Sequence, residues 1–290
     1  MNRSRRAAVA AQTLEILEAG GYGNPKGEWV DLHAAQEAAV QGSVLYRPDI
    51  DEELRRRALA QVRERATDAE ARSQAALRIE LTPETTLAAA RRCWLEDGEP
   101  AACLNFASAK NPGGGFLGGS QAQEESLARA SGLYPCIVQM QEMYEYNRGR
   151  RTALYSDYMI YSPAVPVFRD DEDRLLPEAY PAAFITAPAV NAGVVREREP
   201  EAAEQIGSVM RGRIRRVLYA AMLHGHHTVV LGAYGCGVFR NRPQEVAAWF
   251  REVLAEEAFA GAFARVVFAV YDRSAGQETF RAFEKEFGGG

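Results

Sequence analysis

The chain has 290 residues, 47% of them hydrophobic, enough to bury a sizeable core in one large domain or in a core with an appended segment. A formal net charge of −5 excludes broad affinity for nucleic-acid backbones, which clustered Lys and Arg drive by counterion release, so no binding to double-stranded DNA is expected. No apolar run approaches the roughly 18 residues of a membrane span, and Cys93, Cys103, Cys136 and Cys236 form no CxxC pair, so a cytoplasmic protein with reduced thiols and no membrane contact is expected.

In chain order, "RAAVAAQTLEILEAGGY" has apolar residues at helical spacing and stops at Gly20-Gly21, which predicts a first helix. Residues 51–76 are almost pure helix formers of mixed charge and read as a solvated helix packed by its Leu, Ala and Val stripe. From residue 75 the period changes: "ALRIEL" alternates like a strand, and Thr82-Pro83-Glu84 supplies an N-cap and first turn for a helix over 84–96. Strands are predicted at 102–108, 158–168, 182–190, 228–234 and 265–272, several apolar throughout, with helices at 121–134, 202–224, 243–258 and 275–287. Such alternation predicts an α/β fold with a largely parallel or mixed sheet covered by helices on both faces. Prolines 163, 166, 177, 181 and 188 predict strands that end early and long connections across the top of the sheet.

Open α/β sheets bind ligands beyond the carboxyl ends of their strands, so glycines that follow apolar strands draw the eye. Two stretches qualify, "NFASAKNPGGGFLGG" and "VVLGAYGCGVFRN". Glycine permits positive φ and close approach of a ligand to the amides, which suits a pair of loops wrapping a diphosphate; each loop alone also reads as an ordinary tight turn. Glu124 and Glu125 fall where the first loop becomes a helix, beside this anion site; helix initiation is the alternative reading of the pair. "HGHH" (His224, His226, His227) lies between a helix and a strand without acidic or cysteine ligands, so no metal is predicted. "MQEMYEYNRGRR" reads as an amphipathic helix end with a basic tail; contact of Arg148, Arg150 and Arg151 with a polyanion is the alternative reading. Asn105, at a strand end, either faces the cleft or caps a turn.

Gly113-Gly114-Gly115, seven intervening residues and then Gln123-Glu124-Glu125 resemble the signature of the poly(ADP-ribose) glycohydrolases, which cut ribose–ribose bonds in poly(ADP-ribose). "YSPAVPVFRDD" (161–171), "TAPAVNAG" (186–193) and "LGAYGCGVFRN" (231–241) look like blocks of the bacterial-type members, so the resemblance covers most of the chain. It implies a macrodomain-like core over 81–290, a mixed sheet between helices, with an N-terminal helical extension over 1–80 packed on it. ADP-ribose would cross the top of the sheet, its diphosphate and distal ribose cradled by Gly113, Gly114 and Gly115. Amides of Gly235, Cys236, Gly237 and Val238 would face it, and Phe239 would pack on the ribose unless it is a plain core residue. Gln123, Asn105 and Asn111 complete the implied substrate contacts. Animal members carry Asn where Ser108 stands here, which leaves the sugar contacts at Asn111 and Asn105 open.

The family's second Glu of QEE is the catalytic one, here Glu125. A carboxylic acid that protonates the leaving ribose oxygen and then, as carboxylate, deprotonates water suffices for an oxocarbenium-like path. Glu124 would hydrogen-bond ribose hydroxyls, and adjacent residues cannot straddle the bond, so no second protein nucleophile is expected. The resemblance further implies a metal-independent, cofactor-free glycosidase, monomeric, acting on poly(ADP-ribose), ADP-ribose and ADP-ribosylated proteins. Two other readings stay open at this point: an ADP-ribose-binding reader and a mono-ADP-ribosyl hydrolase.

Overall fold

Helix α1 (Arg3–Ala19) begins where Asn2 accepts a hydrogen bond from Arg5 N and ends where Gly20 turns left-handed at φ 74°, as its glycine pair predicts. A small antiparallel ribbon of β1 (Gly21–Gly23) and β2 (Trp29–Asp31) follows, then α2 (His33–Gln41) and β3 (Val44–Tyr46). The computed structural model describes residues 2–68 and 77–288, so α3 (Asp51–Asp68) covers part of the predicted helix and the rest of that expectation, 69–76, lies outside the described residues.

Next come β4 (Arg78–Thr82) and α4 (Thr86–Asp97). The helix starts later than predicted because Thr85, not Thr82, is its cap: the Thr85 hydroxyl accepts from Ala88 N at 3.1 Å. Glu84 stays outside the helix, paired with Arg92 at 2.8 Å. After β5 (Ala102–Phe106) the predicted helix over 121–134 divides into α5 (Gln123–Ala130) and α6 (Leu133–Val138), because Ser131 is extended, bridges to Val167 and returns its hydroxyl to Leu127 O at 2.7 Å. The remaining elements are α7 (Gln141–Gly149), β6 (Met159–Arg169), β7 (Leu175–Ala187), α8 (Ala192–Arg198), α9 (Ile206–Leu223), β8 (Thr228–Leu231), α10 (Pro243–Leu254), β9 (Arg265–Ala269) and α11 (Glu278–Phe287).

Seven strands form one mixed sheet in the order β3-β6-β7-β5-β8-β9-β4, antiparallel from β3 to β7 and parallel from β7 to β4. Helices α3, α9, α10 and α11 bury Leu54, Met210, Ile214, Phe250 and Phe283 against one face. The other face is covered by α2 and α4 to α7 through Ala39, Leu87, Leu127, Leu133 and Tyr144. This is the sandwich expected of an α/β chain with apolar central strands.

Pro188 ends β7 at Ala187, short of the predicted 190, but the other four prolines act otherwise than predicted. Pro163 and Pro166 lie inside β6, Pro177 and Pro181 inside β7, and Pro166 sits opposite Pro181 in the pairing. The strands survive because β3 pairs β6 only over Met159–Tyr161 and β5 pairs β7 only over Ala183–Ala187, so the missing N–H groups fall where no outer strand needs them. Register shifts between Ser162 and Val165, and between Val167 and Arg169, absorb the remaining mismatch.

The first 80 residues are also more than a helical layer, since β3 closes one sheet edge and β4, which crosses residue 80, closes the other. Tyr46 of β3 shares a hydrogen bond with His224 Nε2 at 2.6 Å, and Tyr161 shares one with His226 Nε2 at 2.8 Å. The His224 ring stacks on Tyr161 with centroids 3.5 Å apart, and burial lowers its pKa to about 4. These histidines therefore join the edge strand to the core. Among the described residues no His, Cys, Asp and Glu group is arranged to hold a metal, and no helix is long and apolar enough to cross a membrane.

Arg213 of α9, 2% exposed, binds Asp157 at 2.8 Å, Leu154 O at 2.6 Å and Pro188 O at 3.1 Å, tying the exit of β7 to the loop that carries Tyr155. Arg213→Met leaves the buried Leu154 and Pro188 carbonyls, and part-exposed Asp157, without this donor. It is expected to cost about 3 kcal/mol in urea unfolding, and a loss under about 1 kcal/mol would show that the clamp is dispensable.

Candidate active site

The site starts from an incomplete ladder. Strand β8 pairs with β5 only at Ala102 and Cys103, so on that side Leu104 O and Phe106 N extend past their neighbour. Gln123, the first residue of α5, fills the gap: its Oε1 accepts from Phe106 N at 2.8 Å and its Nε2 donates to Leu104 O at 2.7 Å and Thr86 Oγ1 at 3.0 Å. Its carboxamide is thus committed to the protein, which corrects the expectation of a substrate contact. A carboxamide is required because one group must accept and the other donate.

That anchor fixes the next two side chains. Glu124 is 3% exposed, accepting from Ser108 N at 2.7 Å and from Asn105 Nδ2 at 3.4 Å. Asn105 is fully buried and also donates to Thr186 Oγ1 at 3.0 Å, so it lies beneath Glu124 and does not line the cleft. Burial, chiefly, and the neighbouring Glu125 charge raise the Glu124 pKa to about 8. At neutral pH Glu124 is mostly a neutral acid, able to donate a hydrogen bond.

Glu125 is half-buried, and its Oε1 accepts from Gly115 N at 3.1 Å. The triple glycine explains itself here. Gly114 has φ 59°, and a Cβ on it would stand 2.5 Å from Glu125 Oε1 and 3.2 Å from Glu124 Oε2, so any side chain would displace the carboxylates. Gly113, at φ 70°, is closed off by Phe116 and Tyr134. Ser108 Oγ accepts from Asn111 N at 3.1 Å and Asn111 O from Gly114 N at 3.0 Å, which shapes the turn. The Asn111 residue itself is exposed, and no hydrogen bond joins its side chain to the Glu pair.

The second loop follows β8. Gly235, at φ 72°, packs under Asn241, whose Nδ2 donates to Gly235 O at 3.1 Å and Val190 O at 2.8 Å. Burial pushes the Cys236 thiol up to about 12, so it is no nucleophile, and its amide donates to Ala233 O at 3.1 Å. Gly237 and Val238 are exposed, and Phe239 is half-buried with its ring 5.8 Å from that of Tyr155. A cleft of about 880 Å³ runs past the carboxyl ends of β5, β8 and β9, lined by Phe106, Gln123, Ser126, Cys236, Gly237 and Tyr271. Neither Glu lines this cleft; they follow Gln123 directly at its edge.

Several functional supports escaped the sequence reading. Arg129, 2% exposed, binds Ser120 O at 2.9 Å and Asp173 at 3.4 Å, fixing the loop ahead of α5 to the β6–β7 turn. A charge inside the apolar face of "SLARASG" was its only signal. Thr186 and the Ser108 amide gave none, because the contacts they make are long-range.

A family model described as microbial-type PARG, catalytic domain, matches residues 10–170. No curated protein matches the chain. Among solved structures, poly(ADP-ribose) glycohydrolase from Thermomonospora curvata is 48% identical, with a TM-score of 0.88 over 98% of this chain and 100% of that one. The same protein bound to the inhibitor ADP-HPD matches with a TM-score of 0.87 at 48% identity, covering 98% of this chain and 100% of that one. Poly(ADP-ribose) glycohydrolase from Deinococcus radiodurans in complex with ADP-ribose is 46% identical, with a TM-score of 0.78 over 87% of this chain and 96% of that one.

A carboxyl raised from 4.5 to about 8 keeps its proton in the folded chain while the unfolded chain has released it, so its contribution to stability falls as pH rises between those values. Glu124→Gln removes this slope. The variant's melting temperature should gain on that of the native chain as pH rises from about 5 to about 8, and parallel melting curves would mean that Glu124 ionises freely.

Proposed function

The chain belongs to the microbial-type poly(ADP-ribose) glycohydrolase family, and from that premise we propose that Glu125 is the single acid–base group through which it hydrolyses ribose–ribose bonds and releases ADP-ribose. The observation that carries this is the grip of Gly115 N on Glu125 Oε1, at the start of a helix and against a loop with no room for a side chain.

Protonated Glu125 gives its proton to the leaving ribose oxygen as the glycosidic bond stretches toward an oxocarbenium ion. The resulting carboxylate then takes a proton from the water that adds to the anomeric carbon. No second protein carboxylate flanks the bond, because Glu124 is adjacent and buried. Glu124 instead stays neutral, offers its proton to a ribose hydroxyl, and keeps a second negative charge away from Glu125. Asn105, Gln123 and Ser108 act as positioning residues for this pair.

The diphosphate lies against the second loop, where Gly237 and Val238 are exposed, and stabilises positive charge on the distal ribose; the amides of Gly114 and Gly115 are taken by Asn111 O and Glu125, so the first loop offers closeness rather than the expected cradle of donors. Phe239, backed by Tyr155, packs on that ribose. The cleft lining carries Asp170, Asp171, Glu172 and Asp272 together with Arg5, Arg129 and Arg273. The base end of ADP-ribose would lie along this lining, beside half-exposed Tyr271. ADP-ribosylated proteins are its macromolecular substrates, and four free cysteines suit a reducing cytoplasm.

Purified protein incubated with poly(ADP-ribose), without added metal, is expected to release ADP-ribose. Glu125→Gln should lower the rate about 10³-fold with ADP-ribose affinity retained in calorimetry. Binding by both proteins with cleavage by neither would make the chain a reader. Gly114→Ala is expected to cost at least about 10²-fold in rate with the fold intact, since it pushes Glu125 out of place; a full rate would show that the close approach is incidental.

A further inference from the structure

Beside the first glycine loop the chain carries cations that neither the core nor the acid–base pair uses. Lys110, Arg148, Arg151 and Arg240 are exposed, and among the described residues none of them forms an ion pair. Arg148, in the last turn of α7, donates to Lys110 O at 2.6 Å, joining that helix end to the turn that leads into the triple glycine. The Lys110 ammonium lies 6.0 Å from the Tyr155 ring, Tyr155 packs on Phe239, and Arg240 follows at once in the chain. These contacts make one continuous ridge from α7, across the first glycine loop, to the second. In a chain of net charge −5, unpaired cations gathered beside the first glycine loop mark the path of an anion.

The chemistry of the bond says which anion. Cleavage separates the ADP-ribose held in the cleft from the adenosine ribose oxygen of the next unit, and that unit has a diphosphate of its own. It must leave from beyond Glu125, whose carboxylate is held by Gly115, five residues past Lys110. We infer that Lys110 and Arg148, with exposed Arg151 three residues further along the chain, form a subsite for the diphosphate of the leaving strand. This rests on the glycohydrolase reading and goes beyond it, since the subsite touches no part of the ADP-ribose that is released. Its contacts persist equally in ground and transition states, so it acts on polymer KM and not on kcat.

The test compares two substrates at low salt: long poly(ADP-ribose), and ADP-ribose carrying a neutral aryl leaving group on the distal ribose. In Lys110→Gln/Arg148→Gln/Arg151→Gln the polymer KM is expected to rise about tenfold, while kcat and all constants for the aryl substrate stay put, and the gap should close at high salt. Because Arg148 also steadies the Lys110 carbonyl, the double variant Lys110→Gln/Arg151→Gln keeps that bond and should still raise polymer KM about threefold. Equal losses on both substrates, or an unmoved polymer KM, would overturn the subsite. Failure of the glycohydrolase reading looks different, because then the native protein cleaves neither substrate. Polymer affinity measured without turnover on a Glu125→Gln background decides even that case: it falls with the cations removed if the subsite binds the strand, and holds if it does not.

Discussion

Everything at this site depends on one side chain completing a strand. Where β8 stops short, Leu104 O and Phe106 N of β5 would be left unpaired at the point where the sheet opens into the cleft, and buried backbone groups are costly to leave so. Gln123 stands in for the missing peptide unit, donating to one and accepting from the other. The same two bonds pin the first residue of α5, so Glu124 and Glu125 inherit their places from the sheet and not from a mobile loop. A rigid element is the right mount for an acid that must meet one oxygen.

From that mount the two carboxyls take opposite fates. Glu124 points inward to the Ser108 amide and Asn105 and is driven toward its neutral form; Glu125 stays half-buried under the Gly115 amide. A shared helix start, which favours negative charge, would otherwise hold two competing anions. The triple glycine is the complement of this pair, because it brings bare backbone to within contact of both carboxylates.

Much of this was legible in the sequence. Apolar strands alternating with amphipathic helices gave the layered α/β architecture, and the glycines before QEE pointed to the site, because both signals are local. What escaped depended on distant partners. Gln123 looked like a ligand contact since nothing near it in sequence says that β8 falls short of β5. Asn105 faces down toward Thr186, a residue 81 positions away. The prolines of β6 and β7 misled because their cost depends on whether an outer strand needs their N–H, which only the sheet order settles. The helix start slipped from Thr82 to Thr85 because both are fair caps and pairing with β9 keeps Thr82 in a strand.

The most direct measurement is turnover by Gln123→Met, which keeps the volume of the side chain and removes its hydrogen bonds, read beside calorimetric ADP-ribose affinity and a thermal melt. The account predicts a folded protein that binds ADP-ribose within a few-fold of the native chain yet cleaves poly(ADP-ribose) about 10²-fold more slowly, as a misplaced acid should. A folded variant with undiminished turnover would contradict it, since the acid pair would then hold its position without the strand.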